Sequence, residues 1–228
     1  MNTRTAAETR ADCEQAMGSE LGAIYAEIDQ ELANIHLIWG QYKILFGMKE
    51  SRVKLLNRAS GSFFRIVQDT LFDQVVLSIS RLTDRPAIKG HQTLTVQRLA
   101  GLIPDPSLST KVRTKVDIAL QAEEFCRDWR NNRIGHNNLE HRLNPKAKPL
   151  NEATRLKVDE ALAALAQVVN VVALHYLNTT ISYSNILPMH PDAHGLLYVI
   201  HDGLDAKKKR RKRIEAGDFS IEDYPHDL

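Results

Sequence analysis

Apolar residues recur every three or four positions along most of the chain, which is the pattern of amphipathic helices. The first such stretch runs from residue 3 to about 46, with a break predicted near Gly18, and a second runs from about 49 to 83. Strand-like alternation never extends beyond a few residues. The pattern predicts an all-α fold, an antiparallel helix bundle with an extra N-terminal helix segment and a C-terminal helical tail. Further helices are predicted over about 93–102, 107–135, 152–180 and 192–213.

Capping residues mark where these helices begin and end. The cluster Pro104-Asp105-Pro106-Ser107 favours a helix start, and Gly135 is a candidate terminator in the left-handed conformation. Asn151 is predicted to cap the helix over 152–180, and Asp192 the last helix. The helix over 152–180 is the richest in apolar residues, so we expect it to be the most buried.

Positive charge is concentrated near the C-terminal end of the chain. The formal net charge is +2, but the run Lys207 to Arg213 carries +7, which leaves −5 for the remainder. We therefore predict a helical bundle over 1–185 and, over 186–228, a C-terminal helix with the basic run and a flexible acidic tail. Lys207 and Arg210 are candidates to bind an RNA backbone. The alternative is that the run pairs with nearby acids, namely Glu215, Asp218, Glu222 and Asp223.

The two cysteines, Cys13 and Cys126, are far apart and lie in no ligand spacing, which argues against a disulfide framework or structural zinc. The carboxylates and histidines show no paired metal-ligand pattern either. The N-terminus lacks a signal-peptide core, and no stretch reaches about 18 uninterrupted apolar residues. We expect a soluble, cytoplasmic protein that has no membrane association, metal or cofactor.

One segment combines side chains suited to chemistry. Residues 126–138 hold three arginines, four asparagines and a histidine. On a continuous helix, Arg130 and His136 would lie about 120° apart around the axis and about 9 Å apart along it. A turn at Gly135 would let His136 fold back toward Arg130 and Asn131. The catalytic prediction therefore depends on the helix ending at Gly135.

These residue types are the ones needed to cleave RNA without a metal. A histidine titrates near neutrality and can move a proton at the 2′-OH or the leaving oxygen. A guanidinium can hold the phosphate through two hydrogen bonds and stabilise its developing charge. We predict these roles for His136 and Arg130, with Asn131 orienting the phosphate or the histidine.

The arrangement of Arg130-Asn131 with His136 resembles the Arg-polar-x4-His motif of the HEPN superfamily. The preceding helix ends in Leu77-Ser78-Ile79-Ser80-Arg81-Leu82-Thr83-Asp84. This ending resembles the Leu-x-Ile-x-Arg-Leu-x-Asp pattern of the abortive-infection U-type branch. The resemblance covers roughly residues 20–180.

The resemblance implies a bundle of HEPN type that dimerises so that two motifs face one cleft. It also implies metal-independent endoribonuclease activity, or RNA or nucleotide binding alone, in a phage-defence or toxin-type system. An antitoxin or other regulatory partner is left open. Arg127, Arg133 and Asn137 are the further candidates for RNA contacts near the motif.

Two alternatives compete with the catalytic hypothesis. The arginines of residues 126–138 can form a solvated helix face, with Glu124 and Asp128 as ion-pair partners. Arg81 and Asp84 can likewise serve only the helix end, as a cation at its C-terminus and as a turn or cap residue. On this basis the rival function is a noncatalytic helical protein that binds RNA, a nucleotide or a partner.

Overall fold

The computed structural model describes residues 5–144, 146–186 and 192–219. Two short strands, β1 (Ala87–Ile88) and β2 (His91–Gln92), form a hairpin, and all other regular elements in these ranges are helical. The prediction of an all-α bundle is confirmed. The α-helices are α1 (Ala6–Met17), α2 (Ser19–Tyr42), α3 (Glu50–Leu82), α4 (Leu99–Leu102), α5 (Pro106–Ala122), α6 (Glu124–Trp129), α7 (Leu139–Leu143), α8 (Arg155–Leu177) and α9 (Ala193–Glu215).

Shorter helical turns extend or connect these helices. Single π turns follow α2 at Lys43–Gly47 and α6 at Arg130–Ile134. Turns of 3₁₀ helix span Val96–Arg98 and Tyr183–Asn185. The break predicted near Gly18 is confirmed, since Gly18 has a φ of 86° between α1 and α2.

The helix predicted over 107–135 is less regular than the pattern indicated. Asp105 caps α5, as its side chain accepts a hydrogen bond from the backbone N–H of Ser107. Glu123 then interrupts the helix, with a ψ of 0°, and α6 is only six residues long. The predicted cap of α8 is also wrong. Thr154 caps it, whereas the backbone N–H of Asn151 donates to Asp128 at 2.7 Å.

The chain forms two compact units, the first made of residues 1–40 and 70–187. Its centre is α8, which packs mainly against α5 and has nine buried residues. The indole N–H of Trp39 on α2 donates to Asp159 on α8 at 2.7 Å. By length and composition alone, α8 is the one helix among the described residues that is long and apolar enough to span a membrane. A buried core helix passes the same test.

The second unit comprises residues 41–69 and 188–228. Its apolar cluster joins the first π turn, the start of α3 and the start of α9. Asp192 caps α9 as predicted, with hydrogen bonds from the N–H groups of His194 and Gly195. The predicted division at residue 185 stays a prediction, and residues 220–228 of the predicted acidic tail lie outside the described residues. The cluster consists of Leu45, Leu56, Phe64, Ala193 and Leu197.

Candidate active site

The C-terminal end of α3 is held by the segment that follows the hairpin. The hydroxyl of Thr95 donates to the carbonyl of Leu82 at 2.9 Å. The side-chain amide of Gln97 donates to the carbonyls of Thr83 and Asp84, at 2.8 and 3.1 Å. The carbonyls at the end of α3 and of the two residues after it thus find partners inside the protein, and only 7% of the surface of Asp84 is exposed.

Two guanidinium groups, one from α6 and one from the π turn that follows it, contact the buried Asp84 carboxylate. Arg130 Nη1 lies 2.5 Å from Asp84 Oδ1, and Arg127 Nη1 lies 3.3 Å from the same oxygen. Arg127 also donates to the carbonyl of Thr83 at 3.1 Å. The end of α3 is therefore joined to the Arg130 motif by charge-assisted hydrogen bonds across 46 residues of sequence.

Glu123 extends this network at the break between α5 and α6. Its carboxylate accepts from Nη2 and Nε of Arg127 at 2.7 and 3.1 Å, and the residue is 1% exposed. Burial raises the pKa of Glu123 to about 7, although its hydrogen bonds and charge interaction with Arg127 lower it. The order Glu123, Arg127, Asp84, Arg130 alternates acid and base, so the cluster carries little net charge when both acids are ionised.

Replacing Glu123 by Gln tests this raised pKa. The folded protein keeps a proton that the unfolded chain loses above its ordinary pKa of 4.5, so the wild type is expected to lose stability as the pH rises toward about 7. A shift of this size corresponds to about 3 kcal/mol, which the E123Q variant would not lose. Chemical denaturation between pH 4.5 and pH 8 measures the difference, with Glu124→Gln on the exposed side of α6 as the control. Parallel pH profiles for E123Q and the wild type would contradict it.

The Arg130 motif lies on a π turn. The N–H of Gly135 donates to the carbonyl of Arg130 at 2.8 Å, five residues back, and π turns of this kind are frequent at functional sites. The helical segment ends at Gly135 as predicted, but Gly135 has a φ of −81° and a ψ of −30°, so its predicted left-handed conformation is wrong. The widened turn already brings Gly135 close to Arg130. A Cβ on Gly135 would lie 3.0 Å from the Arg130 carbonyl oxygen.

Two asparagines make the turn that glycine was predicted to make. The backbone N–H of Asn138 donates to the carbonyl of Asn132 at 3.3 Å, and the Asn138 side chain donates to Asn132 Oδ1 at 2.8 Å. Asn132 in turn donates to the Asp128 carboxylate at 2.8 Å. These bonds close a loop around His136, so the chain does turn back at the end of the motif.

The predicted site residues differ in how firmly they are held. Arg127 and Arg130 meet at Asp84. Arg133 lies over the Trp129 ring, 4.5 Å from its centroid, with Nη2 3.7 Å from Asp73. Asn131 and His136 are exposed, and neither side chain makes a hydrogen bond or ion pair with the part of the chain that is described. Asn137 accepts a hydrogen bond from Arg142 at 2.9 Å.

The ion-pair partners expected for a solvated helix face are wrong. Arg127 pairs with the buried Glu123 and Asp84 and not with Glu124, while Asp128 holds the backbone N–H of Asn151. Asp84 is a buried acceptor for two arginines and not only a turn residue. Sequence reasoning missed Glu123 and underestimated Asp84, although Asp84 belongs to the second motif that carried the resemblance.

The remaining predicted RNA contacts lie on α9 in the second unit. Lys207 is exposed and Arg210 is partly exposed. Some residues of the basic run do pair with acids, since Lys209 lies 3.7 Å from Asp205, Arg211 lies 2.8 Å from Glu215 and Arg213 lies 3.8 Å from Asp218. Glu222 and Asp223 lie outside the described residues. RNA binding by this helix stays a prediction.

A comparison with protein families matches residues 18–194 to the HEPN AbiU2 family, described as AbiU2. The chain belongs to this family. Searches of curated proteins and of solved structures gave no match. The matched span of this HEPN AbiU2 protein contains both sequence motifs and the Asp84–Arg130 contact that joins them. Among residues 5–144, 146–186 and 192–219, no group of three or more His, Cys, Asp or Glu side chains is placed to hold a metal ion.

Proposed function

We propose that this HEPN AbiU2 protein is a metal-independent endoribonuclease that acts in phage defence or a toxin-type system. The observation that carries the proposal is that Arg130, six residues before the exposed His136, is held by an ion pair with the buried Asp84. Asp84 engages only Nη1 of Arg130 among the described residues, so the other guanidinium donors are available for a phosphate. One motif thus offers an oriented guanidinium and an imidazole that is open to substrate.

In this mechanism, His136 accepts the proton of a 2′-OH as the oxygen attacks the neighbouring phosphorus. The bond from phosphorus to the 5′-oxygen breaks, that oxygen takes up a proton from solvent water, and His136 then releases its proton to solvent. The products are a 2′,3′-cyclic phosphate and a 5′-hydroxyl. Arg130 stabilises the charge on the phosphate oxygens during the reaction, and Asn131 orients the phosphate or His136.

We further propose that the active form is a homodimer in the cytoplasm, with two motifs facing one cleft. His136 and Asn131 are exposed on one chain, and a second copy would shield the reacting phosphate from water. Light scattering of the active protein tests this, because a monomer that cuts RNA would exclude it. An antitoxin or other regulatory partner remains part of the proposal without a residue assigned to it.

A noncatalytic role in binding RNA, a nucleotide or a partner is the second candidate. It is favoured by one observation, namely that Arg130 already has a carboxylate partner within its own chain. In this alternative the ion pair stabilises the fold and His136 takes no part in chemistry. Stable RNA binding without cleavage would support it.

The test is cleavage of single-stranded RNA by the purified full-length chain in EDTA. We expect the wild type to cut RNA. Arg130→Ala should cut at least about 100-fold more slowly, because the negative charge of the transition state loses the guanidinium that donates hydrogen bonds to it. The matched control is Arg65→Ala, which removes an exposed arginine that also pairs with an aspartate, Asp69 at 3.0 Å. Equal rates for wild type and R130A, or intact RNA with the wild type, would overturn the proposal.

A further inference from the structure

A basic pocket lies beside the Arg130 motif in the first unit. Its volume is about 410 Å³, and its polar lining consists of Asn132, Arg133, His141, Arg142, Asn144 and Lys148. Three of these residues are cationic, and no carboxylate is among the described residues that line the pocket. The pocket has the donors that an anion requires and no acidic group to repel it.

The pocket is continuous with the catalytic segment. Asn132 and Arg133 belong to the π turn that also carries Arg130. On the opposite side, Arg142 Nη2 donates to the side chain of Asn137, the residue after His136. The loop that carries His136 is therefore joined by hydrogen bonds to Asn132 of the π turn and to Arg142 of the pocket lining.

The cationic residues of the motif and those of the pocket differ in whether they pair with a carboxylate. Arg127 and Arg130 each contact a buried acidic side chain, Arg127 both Glu123 and Asp84 and Arg130 Asp84 alone. Arg142 and Lys148 are exposed, and neither forms an ion pair with any residue in the described ranges. The uncompensated positive charge near the motif thus comes from the pocket.

We propose that this pocket binds the phosphodiester backbone of the RNA strand next to the cleaved bond. The inference rests on the proposed ribonuclease function, whose site it extends. Arg142 and Lys148 would neutralise phosphates of neighbouring nucleotides, which gives affinity and register without reading the bases. The predicted contacts by Arg133 and Asn137 belong to the same surface.

The experiment measures binding of a labelled single-stranded oligonucleotide with 2′-O-methyl riboses, which cannot be cut by 2′-OH attack. Fluorescence polarisation of the full-length protein in EDTA gives the dissociation constant over a series of salt concentrations. The test variant is Arg142→Gln with Lys148→Gln. The control is Lys111→Gln with Arg113→Gln, two exposed cations on α5, about 13 Å or more along the helix from its C-terminal end.

We expect the pocket variant to bind about tenfold more weakly at low salt. The slope of log affinity against log salt should become less steep by about 1.4, because two contacts to phosphates of a single strand are lost. The control should keep the wild-type slope. Unchanged affinity and slope in the pocket variant, or equal losses in the control, would overturn the proposal. A mononucleotide that displaces the oligonucleotide when the two are at the same molar concentration would also overturn it, because the pocket would then bind a free phosphate and not a strand.

The outcome is separable from that of the proposed function. If the wild type binds the oligonucleotide through the pocket but leaves unmodified RNA intact, the pocket stands as a binding site and the ribonuclease proposal fails. If RNA is cut but the pocket variant binds like the wild type, the ribonuclease proposal stands and the pocket proposal fails.

Discussion

Replacement of His136 by Ala is expected to lower the rate of RNA cleavage about 10³-fold. A side chain that transfers a proton in the transition state contributes roughly 10²- to 10⁴-fold to a rate. His136 is exposed and makes no side-chain hydrogen bond with the described residues, so the unfolding midpoint should not change. The rate constant at saturating RNA and a thermal melt measure the two effects separately.

The control is His201→Ala, since His201 is also an exposed histidine and its Nδ1 lies 3.0 Å from the carboxylate of its neighbour Asp202. This variant should keep both the rate and the melting midpoint of the wild type. An H136A protein that cuts as fast as the wild type would remove His136 from the mechanism. A fall in rate that follows loss of folded protein would assign the residue a structural role instead.

The Asp84→Ala variant is expected to be less stable by about 2 kcal/mol and to cut RNA about tenfold to 100-fold more slowly. Removal of one partner from a buried ion pair costs about 3 to 5 kcal/mol. The smaller value is expected because the arginine side chains are 34% and 27% exposed and Arg127 keeps Glu123. The rate falls because Arg130 loses the group that positions it.

Urea denaturation measures the stability of D84A, and the rate is compared at a temperature where both proteins are folded. Asp69→Ala is the matched control, because Asp69, like Asp84, pairs with an arginine, but its partner Arg65 lies on the same helix and the pair is exposed. That variant should change stability by no more than about 0.5 kcal/mol. Faster cleavage by D84A would show that Asp84 restrains Arg130 and does not position it for catalysis.

The helices could be predicted because their apolar spacing is long and regular. The break near Gly18, the helix start in the cluster Pro104-Asp105-Pro106-Ser107 and the buried character of α8 each follow from local sequence. The hairpin and the interruption at Glu123 could not be predicted this way. Glu123 looks like a surface residue of a continuous helix, but in the folded chain it is buried and accepts hydrogen bonds from Arg127.

The candidate site was predictable in its residue types but not in its contacts. Arg130, Asn131 and His136 stand out because few segments combine such side chains. The Asp84–Arg130 pair joins residues 46 positions apart, and helical periodicity carries no information on such a contact. The conformation of Gly135 was predicted wrongly because the segment ends in a π turn, closed by the bond from the Gly135 N–H to the Arg130 carbonyl, and the Asn132–Asn138 bonds make the turn that follows.

The ends of the RNA fragments made by the wild-type protein in EDTA test the central claim most directly. Attack by the 2′-OH, with His136 moving the proton and Arg130 holding the phosphate, predicts 2′,3′-cyclic phosphate and 5′-hydroxyl ends in a mass spectrum. Intact RNA, or fragments with 3′-hydroxyl and 5′-phosphate ends, would contradict this account.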